Sequence, residues 1–372
     1  MSDLLPLPPQ PADVAWPTVE WPTGPPDVED PERLAGLVDH AFTSPAPSEL
    51  GHCHALVVVH RGTVVVERYG PRFVSELEEL AGVTPDQLQA DSTHISWSMA
   101  KSILHAAVGV LVARGEVALD APAPVPLWED PVDPRHDITW DHLLTMRAGL
   151  AWEEEYYEYA ADRVPDVITM LYGDGRGDMA AFAAGFPLQH EPGSDAAYCY
   201  SSGTSNVISG CVGRVVGGGE AGMRAFLVGD LFGPTGMVSA EPSFDRAGTF
   251  VASSFVDATA LDFARFGLLY LRDGVWDGRR ILPEGWVDHA RLPRSPDEHF
   301  FHGAHWWTNG DHRGSFAADG FEGQRIYLLP DRDLVIVRLG KTHTDHSQTM
   351  DAHLMEVADC FASEAELPKR VG

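Results

Sequence analysis

Lysine is nearly missing from this chain. Of the 26 basic residues among 372, three are lysines (Lys101, Lys341 and Lys369) and the rest are arginines. Basic charge as a whole is short: 55 Asp+Glu leave a formal net charge of −29. Too few cations remain to neutralise a phosphate backbone or to dock on anionic lipid, so neither nucleic acid nor a membrane surface is an expected partner. The acidic residues are scattered rather than run together, and the charge reads as solubility. Cysteine is scarce too. Cys53, Cys199, Cys211 and Cys360 have no paired spacing, which argues against a disulfide framework or a CxxC zinc site and fits a reducing compartment. No basic segment followed by an apolar one opens the chain, so no secretory signal is read and a cytoplasmic location is expected. The longest apolar run, Ile103–Ala113, contains His105 and is too short to span a bilayer. Neither a GxSxG elbow, nor HExxH, nor a Walker sequence occurs.

What is present is enough for a large core, with 44% hydrophobic residues. Nine of the 28 prolines fall in residues 1–32; fixed φ and missing donors predict an extended arm over residues 1–30. A first helix is predicted at Pro31–Phe42. Two β-branched runs, Ala55–His60 and Thr63–Tyr69, flank Arg61-Gly62 and read as an antiparallel hairpin. Ser98–Ala113 is apolar on nearly every face and stops at Arg114-Gly115, a buried helix with a C-terminal signal. Further helices are predicted at Thr139–Arg147 and at Ala258–Asp273, the latter capped by Asp257. Gln324–Leu329, a Pro330–Asp333 turn and Leu334–Leu339 make a second hairpin, followed by a helix over Asp345–Ala362. Strands at both ends with helices between predict an α/β (α+β) domain over 31–372. Its antiparallel sheet is closed by both ends of the chain (about 31–115 and 300–372), with a mainly helical region at about 116–299.

Three segments can carry chemistry. In Ser98-Met99-Ala100-Lys101, spacing of i and i+3 at a helix start puts both side chains on one face. The serine lies where free N–H groups and the helix dipole favour negative charge. The lysine lies against an apolar helix, where desolvation lowers its pKa toward the neutral amine that a serine nucleophile needs as base. The competing reading is an N-cap serine followed by a lysine reaching to the surface, and an all-apolar helix offers little surface to reach. In Tyr200-Ser201-Ser202-Gly203 a tyrosine beside a neutralised lysine can shuttle a proton; a core or turn tyrosine is the alternative. In Gly320-Phe321-Glu322-Gly323-Gln324 glycines at a strand start let a substrate backbone approach, and the following N–H can face an oxyanion; a plain β-bulge is the alternative.

In this order the segments resemble the serine β-lactamase-like family. The branch most similar contains 6-aminohexanoate-dimer hydrolase and the family VIII carboxylesterases. Ile138–Leu150, Asp262–Gly274, Trp276–Trp286 and Gly323–Pro330 each look like recurrent segments of that branch. The resemblance covers almost all of residues 32–360 and implies a β-lactamase/transpeptidase-like fold. It also implies a serine hydrolase that cleaves an ester or amide of a small molecule through a Ser98 acyl-enzyme, without cofactor. Lys101 would take the serine proton or hold Tyr200 ionised, and Tyr200 would act as base and then acid toward the leaving group. The backbone N–H groups of Ser98 and Gln324 would form the oxyanion hole.

The family's usual Lys-Thr-Gly is held here by Phe321-Glu322-Gly323, which removes a cation and favours neutral esters or amides over β-lactams. Ser202 stands where many relatives carry asparagine. Lys341-Thr342-His343 looks like a degraded Lys-Thr-Gly, but it follows the last strand and is expected at that strand's far end. An acyltransferase or D-amino-acid peptidase on the same scaffold, or a catalytically silent binding module, are the alternatives, and a homodimer is the one assembly left open. Tyr156 and Tyr157, in the acidic Glu153–Glu158 stretch, could fold over the pocket as a gating loop or form a solvated surface; the acidic residues could also greet an amine-bearing substrate. His299, His302, His305 and His312 cluster near Trp306-Trp307 but lack the converging carboxylate of a metal site, so none is assigned. In His52-Cys53-His54, alternation turns the cysteine to the opposite face, so no shared ligand set is expected.

Overall fold

The computed structural model describes residues 4–43, 49–154, 164–296, 301–309 and 313–363. Its centre is a six-stranded antiparallel sheet: β1 (His52–His60), β2 (Thr63–Tyr69), β3 (Trp307–Thr308), β4 (Phe316–Gly320), β5 (Gln324–Leu329) and β6 (Leu334–Lys341). The order across it is β2-β1-β6-β5-β4-β3, so β1 pairs with β6 and the two ends of the chain close one sheet. Both predicted hairpins form with their expected turns. The short strands β3 and β4 extend the sheet beyond them.

β6 is buried along its whole length up to Lys341, and its side chains alternate between two cores. Val335, Val337 and Leu339 face a large core with Ile326, Leu328 and helix residues such as Ile103 and Phe263. Leu334 and Ile336 face a second core with Leu34, Val38 and Leu354. The second core is roofed by α1 (Pro31–Thr43) at one end of the chain and by α5 (Ser347–Ala358) at the other. On the opposite face lie α2 (Met99–Ala113), α3 (Ser202–Val216) and α4 (Ala260–Leu271). α2 buries Met99 through Leu111 without a break, as expected of a helix apolar all round. Arg114 caps it, and Gly115 follows with a positive φ.

Three predicted boundaries are corrected, the first being the last helix, which runs Ser347–Ala358 rather than Asp345–Ala362 because Thr344–His346 form a separate 3-10 turn and Asp359 caps the end. The helix at Thr139–Arg147 is shorter, Trp140–Leu144, because Thr139 caps it and Met146 already turns left-handed at φ 59°. The cap of α4 is Thr259, whose hydroxyl accepts from the Asp262 N–H. Asp257 instead sits inside a strand, Val256–Thr259, paired with Thr93–Ile95 and Glu241–Pro242. That small second sheet ties the chain just before α2 to the mainly helical region.

Residues 4–30 run without helix or strand along the domain, apart from a bridge between Thr23 and Val64. Three guanidiniums reach out to their carbonyls: Arg272 donates to Pro8, Arg265 to Pro17 and Arg291 to Leu5. Among the described residues no helix is long and apolar enough to cross a membrane.

Candidate active site

The strand Thr93–Ile95 reaches α2 through a turn sewn to its neighbour. The Ser96 N–H donates to the Val256 carbonyl at 2.8 Å, and the Val256 N–H donates back to the Ser96 hydroxyl at 3.0 Å. The next residue, Trp97, is held at φ 45°, a left-handed conformation that costs a bulky side chain free energy and persists only when its surroundings enforce it. Its ring is packed between Phe255 and Phe321, with centroids 5.8 and 5.5 Å away. This kink delivers Ser98 to the N-terminus of α2 with its side chain partly exposed. Ser98 occupies the cap position, yet its side chain makes no capping hydrogen bond. Its hydroxyl instead accepts from Lys101 Nζ at 2.9 Å.

Lys101 does not reach the surface: it is 2% exposed. Its amine donates to Ser98 Oγ, to Ser202 Oγ at 3.0 Å and to the Ser253 carbonyl at 2.9 Å. Burial lowers its pKa to about 8, against smaller opposing contributions from Glu154 and Asp319. A free amine at this position has its lone pair within reach of the serine proton.

Tyr200 precedes α3, whose first turn is capped by Ser201, the hydroxyl accepting from the Thr204 N–H at 2.9 Å. Lys101 Nζ lies 5.0 Å from the centre of the Tyr200 ring. The other sides of the ring meet Trp307 and the edge of His302. Ser202 is buried at the first position of α3. Besides accepting from Lys101, it donates to Glu154 Oε1 at 2.5 Å. The second oxygen of Glu154 accepts from the Ser202 N–H at 2.8 Å and from Trp152 Nε1 at 2.6 Å. Ser98, Lys101, Tyr200, Ser202 and Glu154 therefore form one cluster drawn from α2, the start of α3 and the loop at 152–154.

The third motif borders this cluster. A Cβ on Gly320 would lie 2.4 Å from the Ser96 carbonyl oxygen, so only glycine lets the β4–β5 turn approach the serine turn so closely. Phe321 is exposed and stands edge-on to Trp97. Glu322 sits at φ 60° and pairs with Lys341 at 3.1 Å; its charge also pushes the Tyr172 hydroxyl pKa upward, after the larger effect of burial. Gln324 spends its side chain on the sheet, donating to the Gly340 carbonyl at 2.7 Å and accepting from the Gly340 N–H at 3.0 Å. The expected remoteness of Lys341 is corrected. Antiparallel pairing brings the end of β6 back beside the start of β5, and the Thr342 N–H donates to the Glu322 carbonyl at 2.8 Å.

Tyr156 and Tyr157 lie outside the described residues, as do His299 and His312. His302 and His305 are buried. His305 is a core histidine held between the Leu144 carbonyl and the Ser205 hydroxyl, and burial lowers its pKa to about 3. Among the described residues no group of three or more His, Cys, Asp or Glu could hold a metal ion. Glu154, Ser253 and Trp97 were not legible as site residues. The acidic stretch that contains Glu154 suggested substrate contact, not an inward carboxylate, and Ser253 acts through its backbone oxygen.

A family model described as Beta-lactamase matches residues 52–359. The 6-aminohexanoate-dimer hydrolase of Paenarthrobacter ureafaciens is 26% identical over 302 residues, spanning 77% of this chain and 72% of that protein. A solved structure of a Bacillus anthracis protein, described as a candidate 6-aminohexanoate-dimer hydrolase, superposes with a TM-score of 0.70 at 21% identity, covering 95% of this chain and 90% of that one. A family VIII carboxylesterase superposes at 0.65 with 15% identity, covering 89% and 98%. The two structural likenesses show a shared fold.

Proposed function

The chain belongs to the Beta-lactamase family and is a serine hydrolase of that family, and from that premise we propose that it cleaves neutral esters or amides of small molecules through an ester on Ser98. The observation that carries this reading is the 2.9 Å contact between Ser98 Oγ and the amine of a buried lysine. A hydroxyl alone is a poor nucleophile, and an amine shifted toward neutrality is a competent base.

In this mechanism Ser98 Oγ attacks the carbonyl carbon as its proton passes to Lys101. The oxyanion is met by the backbone N–H groups of Ser98 and Gln324. Tyr200, packed over the lysine amine, returns the proton to the leaving alcohol or amine. Water then takes the place of the leaving group and releases the acid. Phe321 supplies an apolar wall for the acyl or leaving group. Glu322 and Gly323 line the same edge, Ser202 borders it, and Tyr156 and Tyr157 are the gating candidates. The third motif offers no free cation, because Lys341 beside it is neutralised by Glu322; this favours substrates without a carboxylate at that end. Four free cysteines fit a reducing, cytoplasmic setting.

The test is mass spectrometry after a fluorophosphonate, with Ser98→Ala assayed on a panel of p-nitrophenyl esters and amides that includes the 6-aminohexanoate dimer. An adduct on Ser98 and loss of turnover in Ser98→Ala are expected. An adduct on another residue, or unchanged turnover in the variant, overturns the mechanism.

A further inference from the structure

We propose that Glu154 is the positioning residue for Lys101, acting through the Ser202 hydroxyl. It holds the amine against Ser98 and supplies the counter-charge for the proton that Lys101 takes up. The proposal rests on the Ser98–Lys101 mechanism above.

Four groups stand in one chain: Glu154 Oε1 to Ser202 Oγ at 2.5 Å, Ser202 Oγ to Lys101 Nζ at 3.0 Å, and Lys101 Nζ to Ser98 Oγ at 2.9 Å. Direction matters here. A hydroxyl has one proton to give. Ser202 gives its proton to the carboxylate and receives one from the amine, so the negative charge on Glu154 makes the serine oxygen a stronger acceptor for Lys101. The carboxylate itself is locked. Its other oxygen accepts from the Ser202 N–H at the start of α3 and from Trp152 Nε1. The Trp152 ring can lie there because residue 203 is glycine, where a Cβ would be 2.7 Å from ring carbons. Three donors hold Glu154, the Ser202 N–H, the Ser202 hydroxyl and Trp152 Nε1, and with the Lys101 charge they favour its ionised form against burial, which pushes its pKa upward.

Serine at 202 explains the need. Its hydroxyl stands only two bonds from Cα and brings no charge of its own, so orientation and compensation of a buried amine must come from behind it. During acylation the Ser98 O–H bond breaks and an N–H bond forms on Lys101, turning a neutral amine into an ammonium. The developing negative charge goes to the oxyanion, and the carboxylate two hydrogen bonds away offsets the new positive charge. The proton then leaves through Tyr200 to the leaving group, so Glu154 itself gains and loses nothing.

The other groups facing Lys101 are Asp319 on β4, His302 and His305 before β3, and the Tyr200 ring. Asp319 is held by Arg325, burial raising its pKa to about 6, so it titrates below the limb assigned to Lys101; burial keeps both histidines neutral. Facing Glu154 are Lys101 and the Cys199 thiol, which burial, with Glu154 and Asp166, pushes up to about 12. Glu154 is thus the carboxylate that reaches the lysine through a hydrogen-bonded path.

The experiment measures kcat and KM for a p-nitrophenyl ester from pH 6 to 10 in the wild type, Glu154→Gln, Glu154→Asp, Ser202→Ala and the Glu154→Gln/Ser202→Ala double variant, with Ser98→Ala alongside. Glu154→Gln is expected to lose about tenfold in kcat with little change in KM. Its ascending limb should move to lower pH by about one unit, because removing an anion favours the neutral amine. Glu154→Asp should restore part of both. Ser202→Ala should move the limb the same way, and the double variant should be no worse than the poorer single one. An unmoved limb in Glu154→Gln, or a limb moved to higher pH, overturns the proposal, whatever the loss of rate. Full activity in Ser98→Ala would overturn the mechanism beneath it instead.

Discussion

The pKa of Lys101 makes a quantitative prediction. Burial takes the amine from its ordinary 10.5 to about 8. At pH 7 roughly a tenth of such an amine is neutral, against about one part in three thousand at the ordinary value, so the site holds about 300-fold more free base. If that amine takes the proton of Ser98, kcat/KM for a p-nitrophenyl ester should climb tenfold per pH unit below about 8 and level off above it. Lys101→Arg should be inactive across the range, because a guanidinium does not give up its proton. The rate of Ser98 labelling by a fluorophosphonate should show the same limb in Tyr200→Phe, since fluoride leaves without needing a proton. A flat profile from pH 6 to 9, or a labelling limb that vanishes with Tyr200, refutes Lys101 as the base. The same shift has a stability consequence of known sign. The unfolded chain holds this proton up to pH 10.5 and the folded chain releases it near 8, so stability rises with pH across that window and is forfeited below it. Two and a half pKa units correspond to about 3 kcal/mol. Lys101→Met should therefore be inactive and, at pH 7, more stable than the wild type by urea denaturation; a variant that is both inactive and less stable would show that burial costs the lysine little.

Two further outcomes follow from buried polar groups. Burial lowers the pKa of His94 to about 4 and that of His54 and His305 to about 3. These bases are protonated more readily when unfolded, so the stability they contribute is intact above pH 6.5 and is lost as pH falls toward the folded values, about 2 kcal/mol each by pH 5. The melting temperature should drop steeply between pH 6.5 and 4.5, and a constant value there would contradict their neutral burial. Arg272 pairs with Asp333 at 2.5 Å with both side chains buried, and donates to the Pro8 carbonyl and to Gln10. Arg272→Ala should cost about 3–5 kcal/mol by taking the guanidinium away from a buried carboxylate, together with protease sensitivity in residues 4–30; a loss under about 1 kcal/mol would mean that the arm is not anchored there.

How much of this was open to reading depended on how far apart the partners lie. Apolar runs on either side of short turns announced β1, β2, β5 and β6. β3 and β4 escaped because two to five residues carry too little pattern, and the cap of α4 was misplaced because Asp257, by type the stronger capping residue, stands two positions before Thr259. The choice between them was made by the strand that pairs with Ile95 and Glu241. At the site, Ser98 and Lys101 share one helical turn, and the scarcity of lysine singled out the pair before any fold was known. Glu154 reaches that pair through Ser202, 48 residues further along the chain, and no local pattern distinguishes an inward glutamate from its solvated neighbours. Lys341 was placed away from the cleft by treating the end of a strand as distance from the site, where an antiparallel partner reverses that sense. For the cap, Glu154 and Lys341, what could not be read was a contact between segments far apart in the sequence. Close packing sets the β4–β5 turn against the serine turn at Gly320 and the loop at 152–154 against α3 at Gly203, so catalysis here should be sensitive to substitution at these two joints. A Gly320→Ala variant that keeps its fold but loses kcat would show that the approach of two turns, rather than any one side chain, sets the geometry of attack.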